Sequence, residues 1–436
     1  MFWQKSLETM DREALRALQL KRLQWTVKHC YEDVPFYRKR LDEAGVRPED
    51  IRSLEDLRLI PMTDKCDVRD QYPYGMFACS MKDIVRIQGS SGTTGKPTIV
   101  GYTRNDLNTW TDLVARLLTA VGVTNEDVAQ VAFGYGLFTG AHGLHQALDR
   151  IGCAVIPISS GNTQRQIMLM QDLGTTVLIA TPSYALYLAE NIEKMGLKMG
   201  EDIKLRVGCF GGEATSDMMR DELHRRMGIL ATDNYGMSEL IGPGVAGECI
   251  YQQGMHIQED CFIAEIVDPQ TLKPLPVGEV GELVVTPLFK EAMPILRYRT
   301  HDITRLDDSP CACGRTFMRM DKLHGRSDDM LVIRGVNVFP GQVETVIAKF
   351  PEIGPNYEID VTRDGMLDKM EIRLELTDAS LLEKYALLEN LERRLSAQMH
   401  AILGLDAKIR LVEPFTLKRF EGKARRVNDM RNIYKK

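Results

Sequence analysis

Between Gln88 and Thr103 the chain reads QGSSGTTGKPTIVGYT. Glycines let a backbone approach a ligand closely, and successive N–H groups can form an anion-binding nest. Gly92 and Gly95 supply that freedom here, Ser90, Ser91, Thr93 and Thr94 add hydroxyl donors, and Lys96 adds a positive charge. The combination suits a polyphosphate. It is not a Walker loop, which needs glycine, four residues and then Gly-Lys-Ser/Thr. Ser90 stands where the first glycine would be, and Pro97 follows the lysine. The continuation TIVGYT reads as a strand. The structural alternative for the whole stretch is a surface hairpin.

Other segments offer chemistry of their own. GGEA, Gly211 to Ala214, ends a strand-like run with a glycine pair and leaves room for a flat ring, or makes an ordinary tight turn. In DNYGMSE, Asp233 to Glu239, the Ser238 hydroxyl and Glu239 carboxylate are oxygen ligands of the kind Mg²⁺ takes beside phosphate; read bare, Glu239 is a surface acid. Lys423 lies in FEGKARRV, inside a basic tail from Lys418 to Lys436 that would otherwise be a solvated charge run. FGYGLFTGAHGLH, Phe133 to His145, mixes aromatics with glycines, so Tyr135 and Phe138 could face an aromatic ligand or pack a core. Cys249, His256, Cys311 and Cys313 form a Cys₃His set, with Cys-x-Cys-Gly as its knuckle and Cys261 as an alternative fourth ligand. Four protein ligands would make a closed structural zinc site, not a catalytic one; buried thiols are the other reading.

The elements that must position these residues follow from the rest of the chain. Its 436 residues exceed one simple core. Hydrophobic residues at 44% and charged residues at 27% are the balance of a soluble globular protein. A net charge of −6 argues against nucleic acid as a partner. No membrane span or signal peptide is expected, and nine dispersed cysteines are no disulfide framework, so the expectation is a cytoplasmic protein. The first 80 residues read as charged helices broken at Pro35 and near Glu49, a surface on which a second subunit could pack as a homodimer. From Asp83 to Asp233 the apolar runs IVRIQ, AQVAFGY, CAVIPIS, TTVLIAT and LRVGCFG alternate with helical patterns. That alternation implies an α/β fold with a mostly parallel sheet covered on both faces. A β-rich subdomain follows, with hairpin turns at Pro269 and Gly278. From about Asp328 a small α+β unit is expected: LVIRGVNVFP, a hairpin turning at Asp364-Gly365, a helical run from Ala379 to Ile402, and the strand KIRLVE.

SSGTTGKP resembles the phosphate loop of the acyl-adenylate-forming superfamily of acyl-CoA synthetases and luciferases, and TIVGYT, with Thr98 where many relatives carry lysine, resembles the phenylacetate-CoA ligase branch. The later motifs occur in the superfamily's order, from Gln88 to Val427. The resemblance implies an N-terminal adenylate-forming domain, 1–327, joined by a hinge to a mobile C-terminal domain, 328–436. It gives Gly212, Glu213 and Ala214 to the adenine, and Asp233, Tyr235, Gly236, Met237 and Ser238 to ATP, with Tyr235 stacking on the nucleotide. Glu239 takes Mg²⁺, Asp302 of YRTHD the ribose hydroxyls, and Arg326 the nucleotide. His301 is given no role. Asp328 is the implied hinge, with Asp329 competing, and Gly335 and Val336 form the segment that enters for the thioester step. Lys423 reaches the α-phosphate. Tyr135, Phe138, Gly140 and Ala141 line the acid pocket, where no arginine waits for a second carboxylate. The implied activity is ATP-dependent ligation of a phenylacetate-like aryl acid to coenzyme A through an acyl-adenylate. Rival readings are an adenylate-forming enzyme with another acceptor, and a zinc-stabilised nucleotide-binding protein without turnover.

Overall fold

The structure is a computed structural model that describes residues 1–90, 97–327, 331–333, 336–364, 367–420, 424 and 426–431. α1 (Lys5–Glu8) is one turn, and α2 (Arg12–Asp33) begins where the Asp11 carboxylate accepts the Glu13 and Ala14 amides, satisfying donors that a helix start leaves open. Val34 ends α2, and Pro35 opens α3 (Pro35–Ala44), which Gly45 closes at a φ of 68°. The short α4 (Lys65–Asp70) precedes the first strands.

The end of the run IVRIQ and the following Gly89 and Ser90 form β1 (Arg86–Ser90), which pairs with β2 (Thr98–Tyr102) in an antiparallel two-stranded sheet. This corrects the expectation that the run joins the parallel sheet. Its partner lies just across the glycine loop, so closure costs little chain entropy. A capping box between Thr103 and Asp106 starts α5 (Arg104–Ala120).

From there strands and helices alternate as expected: β3 (Val128–Val131), α6 (Thr139–Ile151), β4 (Ala154–Ile156), α7 (Thr163–Asp172), β5 (Val177–Ala180), α8 (Pro182–Lys194), β6 (Val207–Phe210), α9 (Asp217–Met227) and β7 (Leu230–Met237). The strands pair in parallel from β4 through β3, β5 and β6 to β7. Val177 and Ile179 of β5 enter one core and Leu178 and Ala180 another. A strand buried on both faces has to be apolar at successive positions.

Past β7 the direction changes. β8 (Gly242–Gly247) and β9 (Met255–Ile257) continue antiparallel, and β10 (Phe262–Val267), β11 (Gly281–Pro287), β12 (Tyr298–Thr304), β13 (Leu306–Asp307), β14 (Arg319–Met320) and β15 (Gly325–Arg326) follow. One nine-stranded sheet results, in the order β13-β14-β9-β8-β7-β6-β5-β3-β4, beside a four-stranded sheet β10-β11-β12-β15.

The C-terminal region opens with the hairpin β16 (Leu331–Ile333) and β17 (Val336–Val338), then α10 (Pro340–Ile347). β18 (Ile353–Asp364) and β19 (Leu367–Leu376) make the expected hairpin, α11 (Tyr385–Leu403) follows a 3₁₀ turn at Ala379–Glu383, and β20 (Lys408–Val412) and β21 (Val427–Asp429) complete a sheet ordered β20-β19-β18-β21. It packs its own core around Ile359, Ile372, Leu374 and Leu395.

Candidate active site

The carboxyl ends of neighbouring parallel strands carry the candidate residues. β3 runs into Phe133 and Tyr135, β5 into Ser183, β6 into Gly211–Ala214, and β7 holds Asp233–Met237 and leads into Ser238 and Glu239. Ligands of open α/β sheets collect outside such strand ends. Side chains tie the ends together. Asn234 Nδ2 donates to the Phe210 carbonyl at 2.6 Å, and a Cβ on Gly211 would lie 2.9 Å from the Asn234 carbonyl oxygen, so only glycine fits that crossing. Gly212 adopts a φ of 82°, and its nearest neighbours to a built Cβ are 3.9 Å away, which leaves the space a flat ring needs. The Glu213 carboxylate accepts the Ser183 amide at 2.8 Å through one oxygen and the Ala424 amide at 2.8 Å through the other.

Gly236 explains the glycine of YGMSE: a Cβ there would sit 1.8 Å from the Gly242 carbonyl oxygen. With β8 pressed that closely, Ser238 and Glu239 are buried at 5% and 3% exposure. Ser238 Oγ hydrogen-bonds Thr139 Oγ1 at 3.1 Å on α6, beside the buried Gly140 and Ala141. The Glu239 carbonyl accepts from Lys290 Nζ at 2.8 Å. Lys290 is fully buried, and that burial lowers its ammonium to about 8 against the pull of Asp106 and Glu239. Burial likewise pushes the Asp233 carboxyl up to about 7, with the nearby Glu248 charge adding to it and Thr215 and Arg220 opposing. A buried carboxylate beside a hydroxyl is an oxygen donor set that fits Mg²⁺.

Tyr235 reaches the second sheet. Its hydroxyl donates to Asp302 Oδ2 at 2.6 Å, and Arg326 Nη1 donates to Asp302 Oδ1 at 2.8 Å, from a position directly across the β12–β15 pair. His301, given no role above, bridges two neighbours. Its Nδ1 meets Ser327 Oγ at 3.0 Å and its Nε2 meets Asp64 Oδ2 at 3.0 Å, with the backbone at a φ of 61°. Although burial pushes the Glu282 carboxyl up, hydrogen bonds from His301 and Arg299 bring it down to about 2. These charges fix the strand end that presents Asp302.

The base of the glycine loop touches the pocket loop: the Gly89 amide donates to the Leu137 carbonyl at 2.8 Å, and Gln88 Nε2 to the Phe138 carbonyl at 3.2 Å. Ser90 Oγ is buried and has no hydrogen-bond partner among the described residues, which leaves it available as a donor. Tyr135 donates to or accepts from His145 Nδ1 at 2.9 Å and meets the His142 ring edge-on, while Phe138 is 45% exposed ahead of α6. Ser91, Gly92, Thr93, Thr94, Gly95, Lys96, Asp328, Asp329, Gly335 and Lys423 lie outside the described residues. Val336 packs against the C-terminal core.

A second cluster stands at the antiparallel end of the large sheet. Cys249 follows β8, His256 lies on β9, and Cys311 and Cys313 sit between β13 and β14, with their ligand atoms all within 4.8 Å of one another. Cys249 Sγ and Cys311 Sγ are 3.8 Å apart, and Cys313 Sγ is 3.3 Å from His256 Nε2. Two thiolates about 2.3 Å from a tetrahedral zinc would be separated by about 3.8 Å. Sharing with the Cys249 thiol and a hydrogen bond from His256 hold Cys313 far below an ordinary thiol. His256 Nδ1 faces the Phe317 carbonyl at 3.4 Å, leaving Nε2 for a ligand. Cys261 is elsewhere, beside Arg22 and Asp260.

Residues 18–287 match the AMP-binding enzyme family and residues 335–431 the AMP-binding enzyme C-terminal domain. The "Phenylacetate-coenzyme A ligase" of Escherichia coli (strain K12) is 47% identical, over 98% of this chain and 97% of that protein. The chain belongs to the phenylacetate-coenzyme A ligase family. Among solved structures, 2-hydroxyisobutyryl-CoA ligase in its postadenylation state superposes with a TM-score of 0.90 at 27% identity, covering 98% of this chain and 92% of that one. The same ligase in its thioesterification state, with CoA bound, gives 0.73 at 28% identity over 99% and 93%. In this member of the family the sequence pattern alone did not reveal Lys290, Thr139 or the Asp64–His301–Glu282 network. Only the lysine within the apolar stretch PLFKEAMPIL carried any signal.

Proposed function

We propose that this family member ligates an aryl acid of the phenylacetate type to coenzyme A, consuming ATP through an acyl-adenylate and releasing AMP and pyrophosphate. The observation that carries the reading is the convergence of Glu213, Tyr235 with Asp302, and Ser238 at one sheet end, with the Ala424 amide bonded to Glu213 there. In the first step the acid's carboxylate attacks the α-phosphorus of ATP and pyrophosphate leaves. Asp302 accepts the ribose hydroxyls, the Gly211–Gly212 backbone carries the adenine, and donors of the glycine loop, Ser90 to Lys96, cradle the phosphates. Glu239 and Ser238 would hold Mg²⁺, which neutralises phosphate charge when bound. Lys423 meets the developing charge at the α-phosphate. In the second step the thiol of coenzyme A attacks the acyl carbon and AMP departs.

The reading divides the chain into 1–327 and 328–436 and turns the second part about Asp328 between the steps, bringing in Gly335 and Val336. The better superposition on a postadenylation state supports reading the present arrangement as that of the first step. Tyr135, Phe138, Gly140 and Ala141 face the acid. Cys249, His256, Cys311 and Cys313 would hold a structural zinc that ties β8 and β9 to the loop before β14. We place the enzyme in the cytoplasm, since its cysteines are free, and infer a homodimer through the charged N-terminal helices. No helix among the described residues is long and apolar enough to cross a membrane.

The test is AMP formation across aryl and aliphatic acids, with and without coenzyme A. AMP release that needs both an aryl acid and coenzyme A supports the ligase. AMP release without thiol dependence assigns another acceptor, and no turnover with any acid refutes the reading. For zinc, protein prepared without chelator should carry one ion per chain, and Cys313→Ser should lose it; metal analysis finding none in the wild type refutes the site.

A further inference from the structure

Residues 415–420 and Ala424 flank Lys423 in sequence, and two elements of the N-terminal part hold them. Arg419 is the first anchor. Its Nε and Nη2 donate to Glu190 Oε2 at 3.2 Å and Oε1 at 3.0 Å, on α8. Its Nη1 and Nη2 also donate to Glu375 Oε1 and Oε2, each at 2.9 Å, on β19. The three side chains are 13%, 7% and 4% exposed, so the guanidinium is shared between one buried acid from each core. One helical turn along α8, Lys194 Nζ stands 4.2 Å over the Phe415 ring. Glu213 is the second anchor, through the Ala424 amide.

The two acids are not equivalent. Glu375 also accepts the Leu417 amide at 2.7 Å, and both residues belong to the C-terminal sheet and the stretch beside it. When the C-terminal part turns, Arg419 keeps Glu375 and gives up Glu190 alone. The guanidinium therefore never becomes a buried unpaired charge, a state that would be costly. Glu190 is uncovered to water in the same movement.

We propose that Glu190 is a positioning residue for the adenylation step: through Arg419 it holds the chain just before Lys423 against the N-terminal part, and it is the detachable half of the contact. The inference rests on the two-step reading above. It separates Glu190, needed in one step, from Glu375, needed in both.

The experiment measures the half-reactions apart in the full-length protein, using phenylacetate-dependent exchange of pyrophosphate into ATP and CoA-dependent consumption of supplied phenylacetyl-adenylate. Glu190→Gln keeps the side chain's size and removes its charge. Exchange should fall about tenfold or more, the usual result of truncating one member of a desolvated pair, while thioester formation stays within about twofold of wild type or rises. Glu190→Asp, which keeps the charge, should recover part of the exchange. Glu375→Gln should depress both half-reactions. Equal losses in both half-reactions of Glu190→Gln, or no loss in either, overturn the proposal. The wild type in the same assays keeps the readings apart, because absence of exchange there refutes the ligase itself, not the role of Glu190.

Discussion

Tyr235→Phe deletes one oxygen from the site, and its cost can be worked from the geometry. The hydroxyl donates to Asp302 Oδ2 at 2.6 Å, within the range of a short O–H···O⁻ bond. Both residues are buried, at 6% and 4% exposure, so water cannot easily replace the lost donor. Hydrogen bonds to charged groups contribute about 1.5–3 kcal/mol. Arg326 Nη1 still donates to the other oxygen at 2.8 Å, so the carboxylate keeps a cationic partner and the lower end applies. About 1.5 kcal/mol is a little over tenfold. If Asp302 grips the ribose, that loss falls on ATP: kcat/KM for ATP should drop about tenfold, with the KM values for acid and coenzyme A within about twofold of wild type. Asp302→Asn should cost more, since it removes the negative charge from the Arg326–Asp302 pair as well as from the Tyr235 hydrogen bond. Steady-state kinetics with each substrate varied in turn is the assay. An unchanged kcat/KM for ATP in Tyr235→Phe, or a loss expressed in the acid's KM, would refute the ribose assignment.

Gly236→Ala must push the Gly242 carbonyl away from a Cβ 1.8 Å distant, so we expect destabilisation of about 3 kcal/mol or more and loss of adenylation. Gly136→Ala, with nothing within 4 Å, should be near neutral in the same urea titration. Asp233 has a folded-state value raised from 3.8 to about 7, so the folded protein binds more protons than the unfolded chain between these values. Its contribution is fully present below pH 3.8 and is lost as pH rises through 7; Asp233→Asn should flatten that decline in urea midpoints. Lys290 is lowered from 10.5 to about 8, so here the unfolded chain binds more protons and stability rises with pH between these values. Lys290→Met should remove that rise, and an unchanged pH profile would show that the ammonium is not the titrating group.

The parallel half of the fold was legible because its signal is local. Within TTVLIAT and LRVGCFG the segments VLIA and VGCF carry no polar side chain and are buried at every position, as strands covered on both faces must be, and helices separate them. The antiparallel extension was not legible. β13 and β14 have 2 residues each, and β8 reads GPGVAG, with glycines chosen for close approach to α5 and α6 and not for strand propensity. IVRIQ looked like a sheet strand because periodicity reports burial, not partner. The Cys₃His set was readable from residue type, although nothing in spacing distinguished Cys261 from the residues that do come together. Partners of buried charges were invisible. Glu8 meets Arg315 across most of the chain's length, and Arg116 meets Asp260 from 144 residues away. A sequence shows that a charge exists; only folding decides which opposite charge it is desolvated against.

β7 explains why so many candidate residues can act together. One edge pairs in parallel with β6, which delivers the Gly211–Ala214 turn beside it. The other edge pairs antiparallel with β8, with a register shift between Tyr235 and Gly236. That shift lets β8 press against Gly236 and turns the following Ser238 toward α6, where it meets Thr139. It also leaves Tyr235 free to cross to the other sheet and meet Asp302. A regular strand could serve two neighbours. The irregular one meets the Gly211–Ala214 turn, α6 and Asp302 at once, and the Lys290 ammonium fixes the carbonyl at its exit. Rigidity is therefore concentrated in β7, while on the two-step reading proposed above the contacts of Arg419 and Ala424 are the ones to be released. A site that must complete one reaction and then readmit a different group to the same carbon requires that division.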